Sequence, residues 1–187
     1  MLKKNFIVVM AFVLTASVSF AQGKFYTKTG KISFLSKAPI EEIEGKNKTV
    51  TAVLDSKTGA MQFAVQMKGF EFERALMQEH FNENYMESDK YPKATFKGKM
   101  LEHPDLTHDG MYPVTVMGDF EVHGVKQNRT INGTVKISGG VVTMNSEFMV
   151  KCEDHHIVIP QVVFHNIAQS IRIRVAATYT AFNGQSK

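Results

Sequence analysis

The chain has 187 residues, with 22 lysines and arginines against 18 aspartates and glutamates, one cysteine and no tryptophan. The formal charge of +4 falls to +2 once Lys3 and Lys4 are set aside, and the remaining basic residues are scattered, which argues against a nucleic-acid partner. A single cysteine excludes an intramolecular disulfide, so stability has to come from a core, for which 14 Phe and 11 Met supply an apolar and adaptable stock.

The first residues read as an export signal over 1–21. Lys3 and Lys4 precede an apolar run from Phe6 to Ala16, and Ser19-Phe20-Ala21 forms a small-x-small cleavage site before Gln22. The run is shorter than the roughly 20 residues of a membrane span, and no cysteine near the cleavage point offers a lipid anchor. The expected product is one domain, 22–187, periplasmic or secreted, and long enough to bury a large core.

Beyond the signal, period-two alternation dominates, so that one face of each segment is apolar and the other wet. Strands are expected over 24–36, 48–55, 61–68, 94–102, 114–123, 129–138, 141–151 and 170–181. Met61, Phe63, Val65 and Met67 share one face of the third, and Val114, Val116, Gly118, Phe120 and Val122 one face of the fifth. Gly118 there permits a bend or a close approach of backbone or ligand. Turn signals stand at Ser56-Lys57-Thr58-Gly59, His108-Asp109-Gly110 and Gly139-Gly140. About eight strands with short connections imply an all-β, antiparallel domain, closed as a barrel or folded as a sandwich.

One segment breaks the pattern. Over 72–81 the residues are good helix formers with Phe72, Leu76, Met77 and Phe81 at helical spacing, which predicts a helix laid on the β domain, packed against it or covering the mouth of a cavity. A second short helical or irregular piece is expected over 162–168, after Ile159-Pro160.

Seven histidines invite a metal or catalytic reading. His155 and His156 in an extended backbone point to opposite sides, and their spacing to His165 does not demand a metal site. Neither a Gly-x-Ser-x-Gly elbow nor a phosphate-binding glycine loop occurs, and Cys152 has no evident activating partner. No catalytic residue, metal or cofactor is therefore assigned, and the protein is read as a non-enzyme.

Two segments carry a resemblance. Tyr91-Pro92-Lys93-Ala94-Thr95-Phe96 and Gly118-Asp119-Phe120-Glu121-Val122-His123-Gly124-Val125, in this order and spacing, resemble the signature segments of the YceI-like family of secreted bacterial barrels, a likeness running from about residue 24 to 182. Its residues also have plainer uses. Pro92 fixes entry into a strand and holds Tyr91 extended. His123, on the polar face beside a turn-forming Gly124, can bond backbone groups where the strand ends or orient a polar head.

The resemblance implies an eight-stranded, lipocalin-like antiparallel barrel with a short helical insertion, holding a polyisoprenoid lipid such as an isoprenoid quinone or a polyprenyl phosphate as ligand. Alternation then puts Phe34, Phe63, Val65, Phe96, Val116, Phe120 and Phe148 on the cavity wall, with Phe72, Leu76, Met77 and Phe81 near a mouth. Transient membrane contact and a homodimer are compatible with this reading. The chain departs from the family's usual pattern in the apolar, Pro-bearing stretch from Ile157 to Ile171, which bears on the cavity entrance. The alternative is a structural or stress-related β domain whose core is filled by its own side chains.

Overall fold

The computed structural model describes residues 23–182, and the expected export segment lies outside the described residues. Eight strands follow in chain order: β1 Lys24–Lys37, β2 Glu42–Asp55, β3 Ala60–Gln66, β4 Lys93–Met100, β5 Gly110–Val122, β6 Val125–Ser138, β7 Val141–Lys151 and β8 Ser170–Ala181. Each pairs antiparallel with the next. β1 also pairs with β8, at Phe25↔Ala181 and Tyr26↔Thr180 and, past an irregularity, from Lys31↔Ala176 to Leu35↔Arg172, and the sheet closes into a barrel. Closure decides between barrel and sandwich, because it leaves one enclosed inner face. Among the described residues no helix is long and apolar enough to cross a membrane.

The meander gives the barrel two unlike ends. One carries the β2–β3, β4–β5 and β6–β7 turns and is packed solid by Leu54, Met100, Val135 and Val142, with Tyr179 beside them. The other carries the two long connections, 67–92 and 152–169, together with the tight β1–β2 and β5–β6 turns. There Val50, Val65, Met67, Phe70, Met86, Ala94 and Val122 form a second cluster, so side chains from the 67–92 connection complete the core at that end.

The helical segment differs from expectation in extent and phase. Helix α1 spans only Ala75–His80 and runs into a π-helical turn at Phe81–Tyr85. Phe72 lies before the helix, in a stretch tied to β2 by the Lys46↔Glu71 bridge, so the spacing of 72, 76 and 81 does not describe one helical face. Leu76 is 60% exposed and faces solvent, whereas Phe72 and Phe81 pack on the core.

Two places in the barrel wall are not closed by a ladder. β2 and β3 pair from Leu54↔Met61 only as far as Thr51↔Ala64. Beyond that, Lys46 and Glu71 exchange backbone hydrogen bonds of 3.0 and 2.8 Å, and the buried Asn47 donates through Nδ2 to the Gln66 carbonyl at 3.0 Å. β6 and β7 pair from Ser138↔Val141 to Gly133↔Ser146 and then part, although β6 continues to Val125 and β7 to Lys151. Side chains alone reach across this second fork.

Gly98 of β4 and Gly118 of β5 are direct cross-strand partners. A Cβ on Gly118 would run into the Gly98 Cα and the Lys97 carbonyl, both backbone atoms that cannot swing aside. The sequence reading of Gly118 as a close-approach position therefore resolves to backbone against backbone. Overpacking of this kind costs about 1–3 kcal/mol. Gly118→Ala is expected to lose stability in that range by urea denaturation, while Gly139→Ala, whose added Cβ meets nothing within 4 Å, loses less despite its positive φ.

Candidate functional site

The barrel axis holds a cavity of about 200 Å³ between the two core clusters. Inward positions of all eight strands reach it, because alternation turns every second side chain toward the axis. Phe34, Phe63, Val65, Phe96, Val116, Phe120 and Phe148 all stand on its wall. Phe72 and Phe81 stand behind the wall, where Phe81 stacks on Phe34 at 5.2 Å between ring centroids and Phe72 meets the same ring edge-on at 5.6 Å. Phe70 joins this cluster, 5.5 Å from Phe34, and itself lines the cavity. Met77 is half-buried at the Arg74 guanidinium, 3.5 Å from Nη2, and Leu76 takes no part in the site.

Alternation missed Met86 and Ile157, which come from the long connections and reach the cavity through loop geometry. The run Ile171, Ile173, Val175 on β8, also on the wall, was open to the same reasoning that found Phe63. Thr95, Asn132, Gly133, Thr134, Asn145 and Ser146 also border the cavity, the last five where β6 and β7 begin to part, but the surface presented to it is almost wholly apolar. Small-molecule sites are commonly about 300–1,000 Å³. An occupant filling that range has to displace side chains here, and Met61, Met67, Met86 and Met144 on the wall are the ones built to move.

The two signature-like segments meet at the loop-bearing end. The Tyr91 ring lies edge-on to His123, 4.5 Å between centroids, and Gly124 fits beneath Tyr91 with no room for a Cβ. His123 is not on a polar strand face. It sits in the two-residue β5–β6 turn at φ 52°, its side chain only 9% exposed, because the turn ends the alternation and folds the ring inward. Nδ1 bonds the His155 carbonyl at 3.1 Å and Nε2 the Glu87 carboxylate at 2.8 Å. Both partners accept, so the two bonds coexist when each ring nitrogen carries a proton. Glu87, His123 and His156 are the non-glycine residues with positive φ among those described, and all three stand at or beside this junction. The junction ties the 67–92 connection to the 152–169 connection across the β5–β6 turn, which gives His123 a structural task.

His155 and His156 do diverge, though not by extension: His155 closes a short 3-10 turn and His156 follows in the left-handed region. His155 is fully buried, bonds the Val125 carbonyl through Nδ1 at 3.1 Å, lies edge-on to Phe120, and has no partner at Nε2. Burial pushes its imidazole below the ordinary range, and the nearby Arg129 acts in the same direction against the Val125 and Val122 carbonyls. Among the described residues no group of three or more His, Cys, Asp or Glu is placed to hold a metal ion.

A closed antiparallel barrel with an apolar cavity on its axis defines a small ligand-binding barrel. A family model described as the YceI-like domain matches residues 10–179, and the chain belongs to that family. Among curated proteins none matches the chain. Solved structures similar to it include a polyisoprenoid-binding domain from Saccharophagus degradans, implicated in plant cell wall breakdown, at TM-score 0.73 and 12% identity, covering 86% of this chain and 99% of that one. Burkholderia cenocepacia BcnA is similar at TM-score 0.68 and 18% identity over 81% and 96% of the two chains, and a Campylobacter jejuni YceI protein at 0.58 and 14% over 76% and 85%. At these identities the likeness is one of fold.

Cys152 lines the cavity, and burial pushes its thiol up to about 11 from an ordinary value of 9.0. The folded protein thus keeps a proton that the unfolded chain gives up above about pH 9, so the associated stability is present below that pH and is lost as pH rises toward about 11. At pH 8 iodoacetamide is expected to leave Cys152 unmodified in the folded protein and to label it fully in denaturant, read by intact mass. Rapid labelling of the folded protein would mean that the cavity wall opens at Cys152.

Proposed function

We propose that the protein is an exported, non-enzymatic binding or carrier protein that holds an isoprenoid lipid in the barrel cavity. The observation that carries this reading is the apolar cavity itself, continuous along the axis and walled by Phe, Met and branched aliphatic side chains from every strand. Membership of the YceI-like family and the description of the Saccharophagus neighbour as polyisoprenoid-binding support the choice of ligand. The positive, apolar and small-x-small pattern of the first residues supports export.

The energetics suit a tail read by area and length. Each buried methylene is worth about 0.8 kcal/mol, so one isoprene unit contributes roughly 3–4 kcal/mol before the costs of ordering the tail and displacing side chains. Affinity should then rise with tail length until the cavity is full. Phe63 and Phe96 are cross-strand partners, as are Phe96 and Phe120, so these three rings form a band across β3, β4 and β5 that a tail must lie against.

Phe63→Glu and Phe120→Glu each place a carboxylate in that band and are expected to abolish stabilisation by added isoprenoids, whereas Lys136→Glu on the outer face leaves it intact. Thermal unfolding followed by far-UV circular dichroism gives the reading, since a ligand at 100 times its dissociation constant adds about 2.7 kcal/mol. The unliganded transition of each variant reports whether it folds. Absence of stabilisation in the parent protein, over a series of tail lengths, would favour a structural barrel filled by its own side chains.

A further inference from the structure

The three most exposed large apolar side chains among the described residues are Val162 at 89%, Val158 at 76% and Ile40 at 71%, and all three stand at the loop-bearing end of the barrel. Val158 and Val162 belong to the 152–169 connection, in which the stretch from Ile157 to Gln169 holds no Asp, Glu, Lys or Arg. It is within this apolar, Pro-bearing stretch that the chain departs from the family's usual pattern. Val162 lies in a short 3-10 turn, Gln161–Val163, entered through Pro160, and Ile40 lies in the β1–β2 turn. Leu76 of α1 adds an exposed apolar side chain from the 67–92 connection.

The loops that carry these residues are braced against one another. The Ile40 N–H donates to the His165 carbonyl at 2.9 Å, the Ala168 N–H donates to Ser36 Oγ at 2.9 Å, and Arg74, just before α1, pairs with Glu41. The apolar side chains are thus held out on a common rim, where water has to hydrate them. On their inner side the same two connections face the cavity, through Phe70 and Met86 from one and Cys152 and Ile157 from the other. Ile157 on the wall and Val158 in solvent are neighbours in the chain, so apolar surface continues from the cavity to the outside at this end. The opposite end differs on both counts. Its exposed Leu101, Met111 and Val141 stand among Glu102, Asp105 and Asp109, and the interior beneath them is packed solid.

Single apolar side chains projecting from separate loops do not form the continuous, closely packed face by which a protein partner is recognised. A fluid acyl layer receives them without shape complementarity, and a stretch with no acidic or basic side chain enters it at low cost. We propose that the loop-bearing end docks on a lipid bilayer, with Val158, Val162 and Ile40 entering the interface, so that the loop-covered end of the cavity faces the membrane. This rests on the isoprenoid reading, in which the ligand is itself a membrane lipid, and adds the surface through which it is exchanged. Because apolar burial drives the docking, it requires no anionic lipid and persists when salt screens charges.

The purified protein is expected to float with phosphatidylcholine vesicles, to the same extent at low and high salt. The double variant Val158→Asp, Val162→Asp is expected to lower the vesicle-bound fraction at least about tenfold, since a carboxylate is costly to bring into the acyl layer. Leu101→Asp, at the opposite end, is expected to leave flotation unchanged. Farnesol added without vesicles and followed by thermal unfolding is expected to stabilise the parent protein and both variants alike, which shows that the variants fold and separates docking from ligand binding. A parent protein that stays off the vesicles while farnesol still stabilises it, or flotation that survives in the double variant, would overturn the docking inference and leave the isoprenoid reading standing. Flotation that needs phosphatidylglycerol and is lost in salt would overturn it in favour of attachment by charge. A dimer in sedimentation velocity that the double variant dissolves would assign the rim to a second copy of the chain and overturn it as well. Failure of farnesol to stabilise the parent protein would overturn the isoprenoid reading and, with it, the exchange role of this surface.

Discussion

The seam between β1 and β8 is what makes the interior an interior. Pairing at Phe25↔Ala181 and Tyr26↔Thr180, and again from Lys31↔Ala176 to Leu35↔Arg172, turns an eight-stranded meander into a tube. Once the tube is closed, the period of two along each strand sends half of the side chains to a common axis with no helix needed to cover them. An open sheet with the same sequence would expose Phe34, Ile32 and their β8 partners Ile173 and Val175 at unpaired edges, and such edges invite association. The cavity and its apolar wall are both properties of this closed surface.

Closure also fixes where the barrel can be interrupted. At the end that carries the β2–β3, β4–β5 and β6–β7 connections the interior is filled by Leu54, Met100, Val135 and Val142, whereas the opposite end is covered by two long connections that meet at His123. The segments by which the family is recognised in the sequence thus build a junction: Tyr91 and Gly124 pack together, and His123 bonds one connection through Glu87 and the other through the His155 carbonyl. The cavity wall is built by other residues, on the inward positions of the strands.

Much of the fold was legible because alternation and turn chemistry agree. β7 and β8 begin and end at the residues the pattern implies, and the seven cavity-wall residues follow from parity alone. What was hidden shares a cause. β2 begins at Glu42 and β6 at Val125, earlier than apolar alternation suggests, because at both places the strand leaves the ladder and its inward positions carry Gly45, Asn47, Gln127 and Arg129. The helical phase of 72–81 failed because a backbone bridge at Glu71 ties the chain to β2 just before Phe72 and the helix starts only at Ala75, a long-range contact with no local signal. Phe70, Met86 and Ile157 reach the cavity from loops, to which no periodicity applies.

The most direct test of the central claim is mass spectrometry of organic extracts from the protein, produced from the full 187-residue chain in a bacterial host and purified without detergent beside a size-matched control. A stoichiometric isoprenoid in the protein, absent from the control, is the result predicted. Extracts that match the control, in a preparation shown to be folded, would contradict it and leave a barrel closed around its own side chains.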